Sequence, residues 1–534
     1  MFKISNLSFW KLIPLLTLLI FITPILIVVF SLFSGFSDSI NHIINYLLLE
    51  YVSNSLILVT GVSFLVFIIG VSTAWLVTNY NFYGKNFFEW ALILPLAIPP
   101  YILAYTFTGL FDTFGTLNNF ARDIFYLDES AVLFPNVRNI YGGIIIFAFT
   151  LYPYLYLLAR MSFLSQSKSM IESGRMLGLN QFQVFYKVAL PLIRPAIIGG
   201  LLLVSMEVLS DFGAVQHFAI PTFTTGIFRA WQGMYEVTTA MQLASFLLII
   251  IAVFMIAERK SRKGAMYSAQ SSNFRPIKEE KLKGVKGAIA FCICLVPILI
   301  GFMLPVFKLS VWAFSYNTEF FSEKFFQTAL NTIIISICAA ILCAMLALIV
   351  NFSIRFTSNK LLSSLSSLLT IGYGMPGLIL AIGIVQLTTA LDANFDLFIT
   401  GSLFGLIVAY LIKSYALPNL SIEAGFNRIN KKIDDSARTL KSTGWHMLLN
   451  VHFPLLRGSI ITATLLGFSE IVKELPATLI LRPFNFDTLA VSTYLYAAEE
   501  RMFEAAAPAI SIVIIGLIPI IFLSQMIRNS KPVK

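Results

Sequence analysis

The chain is 534 residues long, 57% hydrophobic and 12% charged, with a formal net charge of +10. Soluble domains carry about 25% charged residues, so a water-soluble fold is excluded and an all-α polytopic membrane protein is indicated. Twelve spans of ~20 residues would occupy about 240 residues, leaving chain for loops but not for a second large soluble domain.

Apolar runs long enough to cross a bilayer are predicted, in chain order, at 12–33, 56–77, 90–110, 141–158, 192–209 and 240–257. Six more follow at 288–307, 332–350, 368–387, 397–412, 459–471 and 505–523. The runs are continuous rather than alternating, which argues against a β-barrel. The first is too long for the apolar core of a signal peptide and no small-residue cleavage site follows it, so it is expected to be retained as a span.

Charge placement tests this count independently, because cationic side chains concentrate on the cytoplasmic side of membrane proteins. With both termini in the cytoplasm, the inner segments hold 29 Lys and Arg and the outer ones 8, whereas acidic residues divide 8 inside and 19 outside. The positive charge is therefore an orientation signal rather than a nucleic-acid footprint. Cys292, Cys294, Cys338 and Cys343 lie in apolar spans at spacings unlike a zinc or redox motif, and the four histidines are scattered, so no metal site is predicted.

The two halves are copies. At an offset of 263, Gly142 matches Gly405, Tyr152 matches Tyr415, Pro191 matches Pro454, Arg194 matches Arg457 and Glu207 matches Glu470. Upstream the offset is 277, pairing Asn54 with Asn331 and Pro99 with Pro376; a longer outer loop in the first half accounts for the difference. Six spans per half is an even number, so the repeats are parallel and a pseudo-two-fold axis along the membrane normal is expected. This divides the chain into a first six-span repeat (1–257), a basic cytoplasmic linker (258–286) and a second six-span repeat (287–534). The linker carries nine Lys and Arg against three Glu and reads as a flexible connector that also fixes topology, with a regulatory or lipid-binding role as the minor reading.

Between the fourth and fifth spans of the first half lie Glu172-Ser173-Gly174, then Gly178, then Val188-Ala189-Leu190-Pro191. This segment, near 166–191, resembles the cytoplasmic EAA signature of binding-protein-dependent ABC importer permeases: Glu-Ala-Ala, three residues, Gly, nine residues, then an aliphatic-x-Leu-Pro ending. The second copy, near 429–454, runs from Asp435-Ser436-Ala437 to Val451-His452-Phe453-Pro454 with the same spacing, but has Lys441 in place of Gly and Phe453 in place of Leu. Physically, a short helix, a turn and a second helix would lie along the cytoplasmic face, with Gly178 permitting a left-handed turn and the Pro beginning the next span, where its missing N–H is harmless. The structural alternative is an amphipathic loop lying on lipid, which two copies in matching positions disfavour. The resemblance implies a type I importer permease fold in which such helices seat in grooves of two ABC ATPase subunits. It also implies an extracytoplasmic solute-binding protein and a multi-pass location in the bacterial inner membrane. No phosphate-binding Gly-x-x-x-x-Gly-Lys-Ser/Thr loop occurs, so the chain is expected not to be an enzyme and to hold no cofactor, with ATP and Mg on the partner subunits.

Two further stretches are similar to ferric-iron permeases of this superfamily. They are Glu207-Val-Leu-Ser-Asp211-Phe-Gly213, leading to Phe223–Trp231, and Lys473-Glu474-Leu-Pro476 through Arg482-Pro483 to Asp487-Thr488. Relatives in the superfamily carry thiamine, phosphonates, sulfate or polyamines, so the cargo follows less firmly than the mechanism. The acids Glu207 and Asp211 are four apart on one helix face, and Glu470 and Glu474 repeat the pair. Glu207 would lie about 24 Å and Asp211 about 30 Å along a helix begun at Pro191, in the outer part of the membrane. Three readings stay open for them: outer-gate salt bridges or hydrogen bonds, which nearby Lys473 and Arg482 favour; a negatively lined mouth that attracts a cation; or solvated interfacial residues.

Pro99, Pro100 and Pro376, with Gly372, Gly374 and Gly377, interrupt the third span of each half, as kinks or as a flexing element. The main rival function is a twelve-span secondary transporter, which also allows parallel halves but needs no paired docking loop. A channel or membrane enzyme ranks lower, since no filter motif or nucleophile-base pair is present.

Overall fold

The computed structural model describes residues 2–128, 131–164, 174, 176–268, 280–315, 322–366, 368–442 and 444–529. Among them, nine helices are long and apolar enough to cross a membrane. Three further pairs of helices pass the same test together but bend by more than 40° at a short break, which gives up to twelve spans.

The longest helix shows how local chemistry sets the ends. Glu323–Thr357 begins where the Ser322 hydroxyl accepts the Phe325 N–H at 3.1 Å, an N-cap that satisfies one orphan donor. It ends at Ser358, which turns left-handed at φ 50°, with Arg355 in the last turn, where a cation suits the helix dipole. At 1.5 Å per residue it is about 52 Å long, more than the ~30 Å hydrocarbon core, so it projects beyond the bilayer.

The third span of each repeat is broken rather than continuous. In the first repeat a 3₁₀ turn, Leu94–Ala97, precedes Pro99, and the helices on either side of the break bend by 90°. In the second, Leu369–Gly374 precedes Pro376, and the helix restarts as Gly377–Phe395. Each proline adopts extended backbone immediately before a helix start, and it cannot donate to a preceding turn. The predicted run 368–387 therefore contains a break that hydropathy does not register. The Asn54 side chain donates to Pro221 O at 2.9 Å and Asn331 donates to Asp487 O at 3.4 Å, so the matched asparagines pin equivalent loops.

The chain forms two compact units, neither continuous in sequence. One contains Met1–Ile40, Ile227–Ser245 and Phe320–Ser492. Within it the Phe2–Phe30 helix packs on Glu323–Thr357 and Gly377–Phe395. Trp10 is buried beside Phe352, Phe356 and Trp445, and Gly383 lies so close to Pro24 that an added Cβ would be 2.4 Å from its carbonyl oxygen. The other unit contains Asn41–Gly226, Phe246–Glu319 and Thr493–Lys534. There Val285–Ile298 and the π-helical turn Leu299–Met303 pack against the broken third span, with Phe88 and Phe291 ring centroids 5.2 Å apart. The first span of each repeat thus packs on the core of the other repeat.

The described parts of the connector form regular structure. The Val237–Ser268 helix runs through its beginning, and Glu280–Lys281 near its end pairs in parallel with Tyr80–Asn81, the only strand pair among the described residues.

Candidate functional site

The two predicted coupling segments share one backbone path. Glu172 and Ser173 lie outside the described residues. From Gly174 onward, the Leu179 N–H donates to Gly174 O at 3.2 Å, and at the matched positions the Ser442 N–H donates to Ala437 O at 3.0 Å. This six-residue closure around a left-handed residue ends a helix by satisfying its last carbonyls. The left-handed residues are Gly178 at φ +81° and Lys441 at φ +59°, so the lysine adopts the same conformation as the glycine despite its Cβ. Gly174 and Ala437 are both buried, and a Cβ on Gly174 would lie 3.3 Å from Val188; only small residues fit there.

Past the turn, Asn180 and Gln183 form a reciprocal capping box, at 2.8 and 3.0 Å, that starts the next helix. A turn of π-helix follows in each copy, Phe185–Ala189 and Leu448–His452, at matched positions; such insertions recur at functional sites. Leu190 is half-buried, and Pro191 and Pro454 are exposed. Beyond them the copies differ. The first bends by 70° before Arg194–Ser210, where Pro195 stands, whereas the second continues without such a bend through Gly458. Proline removes the hydrogen bond that would keep the helix straight.

The helix of the second predicted coupling segment, Lys431–Thr439, exposes Asp435 and Ser436 and buries Asp434 and Ala437. Arg355 grips Asp434 through Nε to Oδ2 at 2.6 Å and Nη2 to Oδ1 at 3.2 Å, while also donating to the carbonyls of Phe426 and Ile429 at 2.6 and 2.9 Å. His452 Nε2 lies 3.3 Å from the same carboxylate. Arg438 donates to Phe356 O at 3.1 Å and stacks on the Phe356 ring. The helix is thereby fixed to the end of Glu323–Thr357. Sequence reasoning missed Arg355 and Asp434 and gave His452 no role, because their counterparts in the first repeat are Thr78, Ile171 and Ala189, so the duplication does not mark them.

Exposed apolar side chains also repeat. Leu177 and Leu440 are 81% and 82% exposed, and Phe182 and Trp445 are 70% and 46% exposed. Large apolar groups are thus exposed at matched positions of the duplicated loop.

The paired acids diverge. Glu207 and Asp211 are half-buried, and Asp211 Oδ1 accepts the N–H groups of Ala214 and Val215 at 2.9 and 3.3 Å. Glu470 pairs with Lys473 at 2.8 Å. Glu474 is buried and caps Pro476–Leu481, accepting from Ala477 N at 3.2 Å, Thr478 N at 3.1 Å and Thr478 Oγ1 at 3.0 Å. Lys413 Nζ stands 3.5 Å away, and Tyr410 extends the network to Thr478 at 2.7 Å. Arg482 pairs with Asp487 rather than with an acid of the predicted set. Lys413 is about 15 Å along its helix, Leu403–Ser414, from the helix start. Among the described residues no three His, Cys, Asp or Glu converge to hold a metal.

Residues 66–258 match the family described as binding-protein-dependent transport system inner membrane component. The chain is 25% identical over 496 residues to the Fe(3+)-transport system permease protein FbpB 2 of Haemophilus influenzae, with 92% of each chain covered. It is 22% identical over 508 residues to the ferric transport system permease protein FbpB of Actinobacillus pleuropneumoniae, with 89% of this chain and 70% of that one covered. The chain is similar to membrane permeases of this class. The likeness to the ferric permeases runs through both repeats, the described residues form an all-α, multi-pass membrane protein, and the similarity supports an inner-membrane permease of an ABC importer.

Proposed function

We propose that the permease is the conduit of an ATP-driven ferric-iron importer, served by two copies of an ABC ATPase and by an extracytoplasmic solute-binding protein, with both termini cytoplasmic. The observation that carries this reading is the near full-length similarity to permeases named for ferric transport. The duplicated turn, with an exposed leucine at each tip, supports a pair of docking points for the ATPases. The half-buried Arg355 fixes the second coupling helix to a span, so movement of a docked partner reaches the membrane without loss in a loose joint. ATP and Mg would be held by the partner subunits.

The test is reconstitution of the permease with its ATPase and binding protein in vesicles. ATP-dependent ferric uptake is expected, as are crosslinks from Glu172 and Asp435 to the ATPase. Gradient-driven uptake without a bound ATPase would overturn the importer mechanism. Glu207→Gln combined with Glu470→Gln should lower uptake while leaving assembly intact; unchanged uptake would remove these acids from the path.

A further inference from the structure

The broken third span of the first repeat carries a group that coupling does not use. The Pro100–Phe111 helix places Tyr101 and Tyr105 four residues apart on one face, with ring centroids 5.8 Å apart and each side chain 4% exposed. The Tyr105 hydroxyl has no hydrogen-bond partner among the described residues. Its ring meets His217 edge-on at 4.6 Å, and His217 Nε2 is 2.9 Å from Thr108 Oγ1. The Tyr494 ring centroid lies 5.8 Å from that of Phe212, the residue after Asp211, and Tyr101, Tyr494 and Asp211 all act electrostatically on Tyr105. All of these residues belong to one compact unit.

A buried hydroxyl left unpaired is costly and rare in native proteins, and a visiting ligand would supply the missing partner. Packing alone does not call for phenols here. At the matched positions of the second repeat, Tyr101 and Tyr105 are replaced by Leu378 and Ile382, both buried in an ordinary apolar core. In that repeat the acid has an internal cation, Lys413 beside Glu474, whereas the first repeat has Thr150 at the lysine position. The Tyr101–Tyr105 phenol pair is thus confined to the third span of the first repeat.

We propose that Tyr105, together with Tyr101, Tyr494 and Asp211, forms a transient oxygen-donor site that a hard trivalent cation contacts as it passes through the permease. The proposal rests on the ferric-iron reading. Phenolate and carboxylate oxygens suit such an ion, and a loose set of donors allows it to leave again, as conduction requires.

Tyr105→Phe keeps the ring and removes only the hydroxyl. In vesicles containing the full transporter, ferric uptake by this variant should fall by at least about fivefold, while thermal stability and ATPase stimulation by the binding protein stay at wild-type levels. Titration of the purified wild-type complex with ferric nitrilotriacetate should produce a visible phenolate-to-iron charge-transfer band that the variant lacks. Wild-type uptake in Tyr105→Phe would overturn the site and leave the ferric-iron reading intact, as would absence of the band from the wild type. Lower stability of the variant would mean that the hydroxyl is paired within the protein, and would also overturn the site. Failure of the wild-type transporter to move ferric iron would overturn both.

Discussion

Arg355→Met would strand the Asp434 carboxylate beneath the Lys431–Thr439 helix. The two side chains are 13% and 11% exposed and meet at 2.6 Å. Removing one member of a buried pair costs about 3–5 kcal/mol. The pair keeps some solvent contact, so the lower end applies, ~3 kcal/mol, or roughly a hundredfold in the local opening equilibrium. Arg355→Met combined with Asp434→Leu removes the stranded charge as well and should recover part of the loss. Recovery is partial because the carbonyls of Phe426 and Ile429 lose their donor in both variants, at about 1 kcal/mol each. Amide hydrogen exchange across residues 430–442, measured by mass spectrometry on the purified protein, reads this opening directly. Exchange in Arg355→Met at the wild-type rate, or equally fast exchange in the single and double variants, would refute the view that this pair anchors the helix.

Lys441→Gly relieves a left-handed residue at φ +59° and should stabilise the turn by about 1 kcal/mol; a lower melting temperature would contradict this. Gly383→Ala places a Cβ 2.4 Å from Pro24 O and should cost about 1–3 kcal/mol through overpacking, visible as faster proteolysis of the Phe2–Phe30 helix. Glu236 accepts hydrogen bonds from Ser39 at 2.6 Å and Thr239 at 2.7 Å, with Ser37 at 3.4 Å, and these hold its carboxyl below the usual carboxylate range. A lowered folded-state pKa gives stability that is present above the unfolded-state value and lost as pH falls through the folded one. Stability at acidic pH should therefore become less pH-dependent in Glu236→Gln, and an unchanged pH profile would count against the contact.

The spans, the duplication and the turn were legible because each rests on local chemistry: apolar length, residue type at fixed spacing, and prolines such as Pro99 and Pro376 that prevent a helix from continuing. Lys441 could be read only as a departure from the glycine pattern, since sequence does not reveal that a lysine adopts φ +59° at that point. The Lys413–Glu474 contact joins residues 61 positions apart across a helix break, and neither hydropathy nor charge counting brings them together. The assignment of Phe2–Phe30 to the core of the other repeat was equally hidden. An apolar helix has a lipid-compatible surface wherever it settles, and its docking depends on small details such as Gly383 meeting Pro24.

That exchange bears on how the polypeptide could be divided. A cut within residues 269–279 would yield two fragments, yet each compact unit would still need helices from both of them. Neither fragment expressed alone could complete either unit, whereas co-expression could restore both. Fusion into one chain thus guarantees equal supply of two mutually dependent pieces rather than tethering two self-sufficient ones.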